Sequence, residues 1–255
     1  MPGLSFIALI AYDYRYAFQS IRSYYDIADE ILLGIDVERL SWTRQPYQID
    51  MRAIEDFIAQ IDAASKVRIV EGNFHRDPDP LVNDTEERSS LSREARPGNW
   101  IVQIDADEIL LNASEFRGWL LSNNPCQYCI CGRWITVFKS FGDHMLLIDP
   151  AEETTPVGTM LRGGYVRARV TSEPQLLSPL KLLHFSWGRS RKEVIEKLTN
   201  WSHSRDLDTA RFLRFWESVN LENYRSARDF HPHYGPTWHA LKLVKLAPAA
   251  GQRPG

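Results

Sequence analysis

Three carboxylates within four residues follow a short apolar segment near the middle of the chain. The segment, residues 100–104, is rich in β-branched side chains and follows a Pro-Gly pair, which predicts a buried strand. Asp105, Asp107 and Glu108 come directly after it. Because a charge buried without a partner is costly, we expect these carboxylates at the carboxyl end of the strand, where open α/β sheets bind ligands.

Asp105 and Asp107 are two residues apart, so their side chains should point to one side of an extended chain. Two carboxylates that converge on one point repel each other unless a cation lies between them. Hard oxygen ligands suit Mg²⁺ or Mn²⁺, which proteins bind through one or two carboxylates together with substrate phosphates. The alternative is a solvated strand end followed by a helix cap, because so short a motif often occurs by chance.

The elements before this motif predict a βαβ unit. Residues 4–11 form a continuous apolar strand, residues 16–27 have helical spacing, and residues 30–35 form a second buried strand. Asp13 follows the first strand and Asp36 ends the second, so both should share the sheet edge with the carboxylate cluster.

A second helix, a third strand and a third helix follow. We predict them at residues 49–64, 66–70 and 81–95, the last with an Asp-Pro start. The third helix is polar and highly charged, which indicates a mostly solvated helix. Arg88 and Arg93 are possible exceptions, because this helix leads directly into the acidic strand.

After the motif the pattern predicts alternating short elements and one irregular stretch. We expect helices at 113–121, 190–203 and 206–219, strands at 128–138, 165–170 and 182–185, and a loop-rich, functional or mobile stretch at 139–164. Cys126, Cys129 and Cys131 could begin a zinc site, but small buried thiols are favoured because no second cysteine pair follows.

Composition restricts the class of protein. The chain of 255 residues allows one large or two small domains, and its net charge of −3 argues against a nucleic-acid partner. No apolar run reaches the ~18 residues that span a bilayer, and residues 4–11 lack a basic leader and a cleavage site. The odd cysteine count and the lack of a signal sequence indicate a reducing compartment. We therefore expect a cytoplasmic protein without a transmembrane segment, which could still associate peripherally with a membrane.

The order of these parts resembles the GT-A glycosyltransferases, most closely the glycosyltransferase family 2 type. The resemblance is carried by the βαβ start with Asp36, the arginine-containing helix and Trp-Ile-Val-Gln-Ile-Asp-Ala-Asp-Glu at residues 100–108. Leu-Leu-His-Phe-Ser-Trp at residues 182–187, followed by a helix with Lys197 and Trp201, is similar to the family's C-terminal signature. The resemblance covers roughly residues 4–205.

This resemblance implies an α/β fold of GT-A, Rossmann-like type: a mixed, mostly parallel sheet with flanking helices and a helical C-terminal segment. Residues 1–189 would form the nucleotide-sugar-binding and catalytic domain, and residues 190–255 a helical extension packed on it. The implied activity is metal-dependent transfer of a sugar from a UDP-, GDP- or dTDP-sugar to the hydroxyl of a glycan or another acceptor, with inversion favoured.

The resemblance also implies roles for donor-binding residues. Asp107 would ligate Mn²⁺ or Mg²⁺, with His184 completing the metal shell. Asp105 would contact the ribose or the water shell of the metal and take part in catalysis. Asp13 and Asp36 match acidic positions that hold the nucleoside. Basic residues join them on the donor: Arg88 matches an arginine near the donor, and Lys197, Arg189 or Arg191 could add charge at the diphosphate. For Lys197, a solvated helix position is the simpler interpretation.

Glu173 is the predicted catalytic base, because relatives often have His-Glu at this point. Here Ser172 replaces the histidine. Four other carboxylates of the irregular stretch are rival bases: Asp143, Asp149, Glu152 and Glu153. Two other functions use the same acidic edge. One is nucleotidyl or phosphoryl transfer, although no phosphate-binding P-loop motif is present, and the other is a non-catalytic nucleotide-sugar-binding module.

Overall fold

The computed structural model describes residues 2–232 and 237–245. Its strands are β1 (Leu4–Leu9), β2 (Glu30–Asp36), β3 (Val67–Gly72), β4 (Trp100–Gln103), β5 (Glu108–Leu110), β6 (Cys129–Phe141), β7 (His144–Asp149), β8 (Thr154–Thr159), β9 (Tyr165–Arg167), β10 (Val170–Thr171), β11 (Gln175–His184) and β12 (Ala240–Lys245). Its α-helices are α1 (Tyr14–Tyr24), α2 (Met51–Ile61), α3 (Pro80–Glu94), α4 (Ala113–Asn123), α5 (Arg191–Asn200) and α6 (Thr209–Ser218).

The first four long strands form a parallel, Rossmann-like half of the sheet. They lie in the order β3-β2-β1-β4, and all three neighbouring pairs are parallel. Every residue of β1, β2 and β4 is buried, which explains why these segments are largely apolar instead of alternating. Parallel pairing brings the loops after β1, β2 and β4 to one edge, as the sequence predicted.

The other strands extend this half in mostly antiparallel fashion. β8 pairs with β4, and β6 pairs with β8 and β7. β11 runs parallel to β6 and antiparallel to β5. The predicted α/β class, with a mixed sheet and flanking helices, is confirmed.

The prediction of an irregular stretch at 139–164 is wrong, because this segment contains β7 and β8. The hydrophobic alternation of this segment is interrupted by Gly142, Pro150 and Pro156. The residue pattern therefore predicts neither strand. The long strand β6 supplies antiparallel partners to both of them. β5 and β12 were not predicted either. Both are short, and their ladders form with segments distant in sequence.

Five of the helices pack in two hydrophobic cores, and Leu91 of α3 packs in a third cluster with residues of β1 and β2. In the main core Tyr24 of α1 stacks on Phe6 of β1, with ring centroids 4.4 Å apart. In the second, α5 and α6 pack against β6 and β7, and Trp216 Nε1 donates a hydrogen bond to the carbonyl oxygen of Phe138 over 2.9 Å.

The predicted C-terminal extension, residues 190–255, contains α5, α6 and also β12, which pairs with β7. Residues 233–236 and 246–255 of that extension lie outside the described residues, and the domain division stays a prediction. Cys129 and Cys131 are free, buried thiols in β6. Within the described ranges, none of the helices combines the length and the apolar character that crossing a membrane requires.

Helix α3 corrects one expectation, because its polar residues are largely buried and not solvated. Its buried side chains include Asn83, Asp84, Glu87 and Arg88. The helix begins where predicted, with Asp79 accepting a hydrogen bond from the backbone N–H of Leu81. Buried polar groups require partners, and α3 finds them at the sheet edge that carries the acidic motif.

Candidate functional site

A cavity of about 380 Å³ lies at the carboxyl end of β4. Six of the predicted site residues line it: Asp13, Arg88, Asp105, Asp107, His184 and Lys197. They come from the loops after β1 and β4, from α3, from the end of β11 and from α5. The structure therefore brings together residues that are spread over most of the chain.

Asp107 is buried and surrounded by basic groups. Its Oδ2 atom lies 2.5 Å from Arg189 Nη2, 2.7 Å from Lys197 Nζ and 3.6 Å from His184 Nε2. Arg189 also binds Asp13 Oδ2 over 2.8 Å. The predicted metal ligands Asp107 and His184 are thus neighbours, but the side chains of Arg189 and Lys197 already contact the carboxylate of Asp107.

The start of α5 positions these two cations. Ser190 and Glu193 form the capping box that the sequence predicted, which fixes the first turn of the helix. Arg189 immediately precedes the cap, and Lys197 lies two turns further on. Lys197 is buried, so the alternative that it is a solvated helix residue is wrong.

Asp105 is held in the same way. Arg88 contacts both of its oxygens, at 3.0 and 3.3 Å, and Arg169 Nη2 lies 2.5 Å from Oδ2. Arg88 is itself oriented by Asp84, 2.7 Å from its Nε atom. Each carboxylate of the Asp-x-Asp motif therefore contacts two basic side chains.

Glu108 and Arg169 complete this network. Glu108 is fully buried and accepts hydrogen bonds from the backbone N–H of Asp105 over 2.9 Å and from Trp134 Nε1 over 2.8 Å. Arg169 Nη2 lies 2.9 Å from Glu108 Oε1. Arg169 was not among the predicted site residues. It reaches the site because the turn between β9 and β10, with Ala168 at φ 46°, directs it there.

The surroundings shift the pKa values of these groups. Burial raises the pKa of Asp107, but Lys197, His184 and Arg189 outweigh it and hold that pKa well below its usual range. Burial lowers the pKa of Lys197, against the attraction of Asp107. Burial also lowers the pKa of His184 to about 4, so its imidazole is neutral near pH 7.

Three buried polar atoms of the lining have no hydrogen-bond partner of good geometry in the described part of the chain. They are His184 Nδ1, Arg169 Nη1 and Arg169 Nη2, and the last of these still lies at ion-pair distance from Asp105 and Glu108. Buried polar groups in native proteins are rarely left unsatisfied, so such atoms indicate where a ligand or ordered water binds.

Asp36 and Glu173 do not line this cavity. Four backbone N–H groups, those of Glu38, Leu40, Phe74 and His75, bind the two oxygens of Asp36 and join the loops after β2 and β3. The role of Asp36 in nucleoside binding stays a prediction. Glu173 is held by the hydroxyl groups of Thr159 and Thr171. Glu173 is therefore not one of the side chains that surround the acidic motif.

A second, smaller cavity of about 200 Å³ adjoins the first, with Trp134, His184, Trp201 and His203 shared between the two linings. Trp187 and Trp238 also line it, so aromatic rings dominate its walls. Among the rival bases, Glu153 lines this cavity, with Oε1 3.3 Å from His231 Nε2. Asp143, Asp149 and Glu152 line neither cavity.

The donor groups around the acidic motif do not fit a divalent ion in this arrangement. Within residues 2–232 and 237–245, no group of three or more His, Cys, Asp or Glu side chains could hold a metal. An ion on Asp107 Oδ2 would also meet Lys197 and Arg189. At an effective dielectric constant of about 20, a divalent ion about 4 Å from one ammonium group is repelled by about 8 kcal/mol. A metal would require both side chains to leave the carboxylate.

Comparison with known proteins gives no family: no family model matches, and no curated protein matches. The solved structures to which the fold is similar include two at 11% sequence identity and a TM-score of 0.44. One is 4-diphosphocytidyl-2C-methyl-D-erythritol synthase, with 78% of this chain and 98% of that chain covered. The other is S. aureus TarS 1–349, with 87% of this chain and 76% of that chain covered. Neither similarity assigns this chain to a family.

Proposed function

We propose that this protein transfers a sugar from a nucleotide-sugar donor to a hydroxyl acceptor. The observation that carries the proposal is the pairing of two cavities that share a wall formed by Trp134 and His184. One cavity is rich in charge and lies at the carboxyl edge of a parallel sheet, where such sheets bind nucleotides. The other is rich in aromatic rings.

The charged cavity suits the donor diphosphate. Four buried cations surround the acidic motif and come from three separate parts of the chain: Arg88 from α3, Arg169 from the turn between β9 and β10, and Arg189 and Lys197 from α5 and the residues just before it. Negative charge grows on the diphosphate as the glycosidic bond breaks, and fixed cations in a site with little water stabilise that charge. A UDP-, GDP- or dTDP-sugar has the chemistry that this cavity would bind.

The aromatic cavity suits a glycan acceptor. Indole rings offer apolar faces on which sugar rings can pack. Glu153 supplies a carboxylate on this side, and His231 and Trp238 hold its pKa below the usual range although burial raises it. It is therefore ionised near neutral pH and can accept the proton of the attacking hydroxyl. Displacement by that hydroxyl inverts the anomeric centre.

Glu153 is a better candidate base than Glu173. Glu173 lines neither cavity, and two threonine hydroxyls bind it. Glu153 belongs to the set of rivals that the sequence left open. Its position beside His184 and Trp134 in the smaller cavity supports the choice.

The experiment is incubation with a panel of nucleotide sugars and glycan acceptors, with product analysis by mass spectrometry. Transfer with release of a nucleoside diphosphate supports the proposal. Consumption of nucleoside triphosphates with release of pyrophosphate would instead establish nucleotidyl transfer. Donor binding without turnover over any acceptor would identify a binding module.

A substitution of Glu153 tests its assignment as the catalytic base. Glu153→Gln should slow transfer by about 10² to 10⁴-fold, the usual contribution of a general base, with donor affinity unchanged. Glu152→Gln, next in the chain but exposed, is the matched control and should retain the wild-type rate. If Glu153→Gln kept the wild-type rate and Glu173→Gln were slow, the catalytic base would be Glu173, as the sequence predicted.

A further inference from the structure

Lys197 differs from the three arginines around the acidic motif in how many carboxylates it contacts. Arg88 contacts Asp84 and Asp105, Arg169 contacts Asp105 and Glu108, and Arg189 contacts Asp13 and Asp107. Among the described residues, Lys197 forms an ion pair with a single carboxylate, Asp107. It is therefore the cation of this site with the least compensated charge.

Lys197 also lies where the resemblance to GT-A enzymes implies a divalent ion. Its Nζ atom is 2.7 Å from Asp107 Oδ2, the same oxygen that faces His184 Nε2 at 3.6 Å. Those two residues are the predicted metal ligands. An ammonium group with three N–H donors can bind a carboxylate and a phosphate oxygen at the same time.

We infer that the ammonium group of Lys197 takes the place of the metal, so that this site binds the donor diphosphate without a divalent ion. The inference rests on the proposed function, since it names how that donor is held. Asp107 then acts as the anchor that orients Lys197 and Arg189 toward the cavity. Asp105 does the same for Arg88 and Arg169.

The burial of these groups supports the same conclusion. Arg88, Arg169, Arg189 and Lys197 are at most 6% exposed, so folding has already removed them from water. A phosphate group that enters the cavity meets fixed donors that need little reorganisation. Arg169 Nη1, buried and without a hydrogen-bond partner among the described residues, is available as a further donor.

The first test is calorimetric titration with UDP, GDP, dTDP and CDP, in excess EDTA and in excess MnCl₂. We expect the same dissociation constant in both buffers, within about twofold. Binding that appears with Mn²⁺ and is lost in EDTA would overturn the inference. It would leave the proposed function in place.

The second test is Lys197→Met, which keeps the length of the side chain and removes its charge. Loss of a charge-assisted hydrogen bond should weaken diphosphate binding by about 10- to 100-fold. Lys197→Arg keeps a cation and should retain most of the affinity. Lys192→Met, on an exposed position of the same helix, is the matched control and should bind as the wild type does. Equal affinity in Lys197→Met and wild type would overturn the inference.

A third measurement needs neither a nucleotide nor a folded variant. Mn²⁺ is titrated into the wild-type protein alone and free Mn²⁺ is followed by electron paramagnetic resonance. Dissociation constants above about 1 mM support the inference, and tight binding at one ion per chain overturns it. If no nucleotide binds in either buffer the proposed function fails, while this titration still decides whether the motif holds a metal.

Discussion

The two adjoining cavities share Trp134, His184, Trp201 and His203 but differ in most of the other residues that line them. Around the larger one, buried charges of both signs contact each other, and each motif carboxylate touches two basic groups. Around the smaller one, indole rings dominate, and its lining includes two carboxylates, those of Glu153 and Asp206. The difference indicates that the larger cavity is built to hold charge in fixed positions and the smaller one to hold an uncharged surface.

The surroundings of the larger cavity also change the role that the acidic motif is expected to have. In the sequence, Asp105 and Asp107 suggest an ion held between two carboxylates. In the structure they lie within a network in which arginine and lysine occupy those carboxylates. Removing a group from such a network should cost far more than removing one from an exposed pair, and the following variants measure that difference.

The largest effect is expected for Asp107→Asn. The variant leaves Arg189 and Lys197 buried without their shared carboxylate, and breaking a buried pair costs about 3–5 kcal/mol of unfolding free energy. Urea denaturation measures the loss. Asp143→Asn removes an exposed carboxylate that also pairs, with His144 and Lys245, and should change stability little. Similar losses in both variants would show that burial does not distinguish the two sites.

The next effect concerns Trp134, which belongs to both cavities. Trp134→Phe keeps an aromatic ring beside His184 but removes the donor to the buried Glu108. Loss of a hydrogen bond to a charged group should cost about 1.5–3 kcal/mol. Trp119→Phe, partly buried against the main core, controls for the smaller ring. A double-mutant cycle with Glu108→Gln should show coupling, and additive losses would contradict the role of this contact.

A smaller effect concerns pH. The ring of His75 contacts Trp42, which lines the larger cavity. Its Nε2 atom lies 2.9 Å from Glu87 Oε2, and Nδ1 is bound to the carbonyl oxygen of Leu40. Burial lowers the pKa of His75, but Glu87 and that carbonyl raise it by more, so the net shift is upward.

The stability that this upward shift supplies is complete below the unfolded pKa of about 6.5, and it is lost as pH rises through the folded pKa. His75→Gln should remove this decline. Urea midpoints measured from about pH 6 to pH 9 provide the check. His239→Gln, at an exposed pair with Asp229, should keep the wild-type profile.

The smallest effect is expected for Arg191→Ala. Arg191 is near Arg189 in sequence, but its side chain is 65% exposed and pairs with Glu217 at the surface. Exposed pairs contribute about 0–1 kcal/mol, so stability should change by less than that amount and diphosphate affinity should stay constant. A loss of affinity comparable to that of Lys197→Met would place Arg191 at the ligand and contradict the present assignment.

Local sequence patterns were sufficient to predict much of the fold. The apolar runs of β1, β2 and β4 predicted the parallel half of the sheet, and the caps at Asp79 and Ser190 marked the starts of α3 and α5. Charge at the end of a buried strand placed Asp105 and Asp107 at the sheet edge. Burial, capping and strand period act over a few residues, so their signals are readable in the chain itself.

Contacts between distant residues were not readable in this way. Lys197 and Arg189 contact Asp107 although they are 90 and 82 positions away from it in the sequence. Arg169 reaches the site through a turn whose direction no sequence motif predicts. The strands β7 and β8 exist because β6 lies between them as a hydrogen-bonding partner. Whether the motif carboxylates face a metal or fixed cations depends on which side chains the packed chain brings within 3 Å of them, and only the folded arrangement decides that.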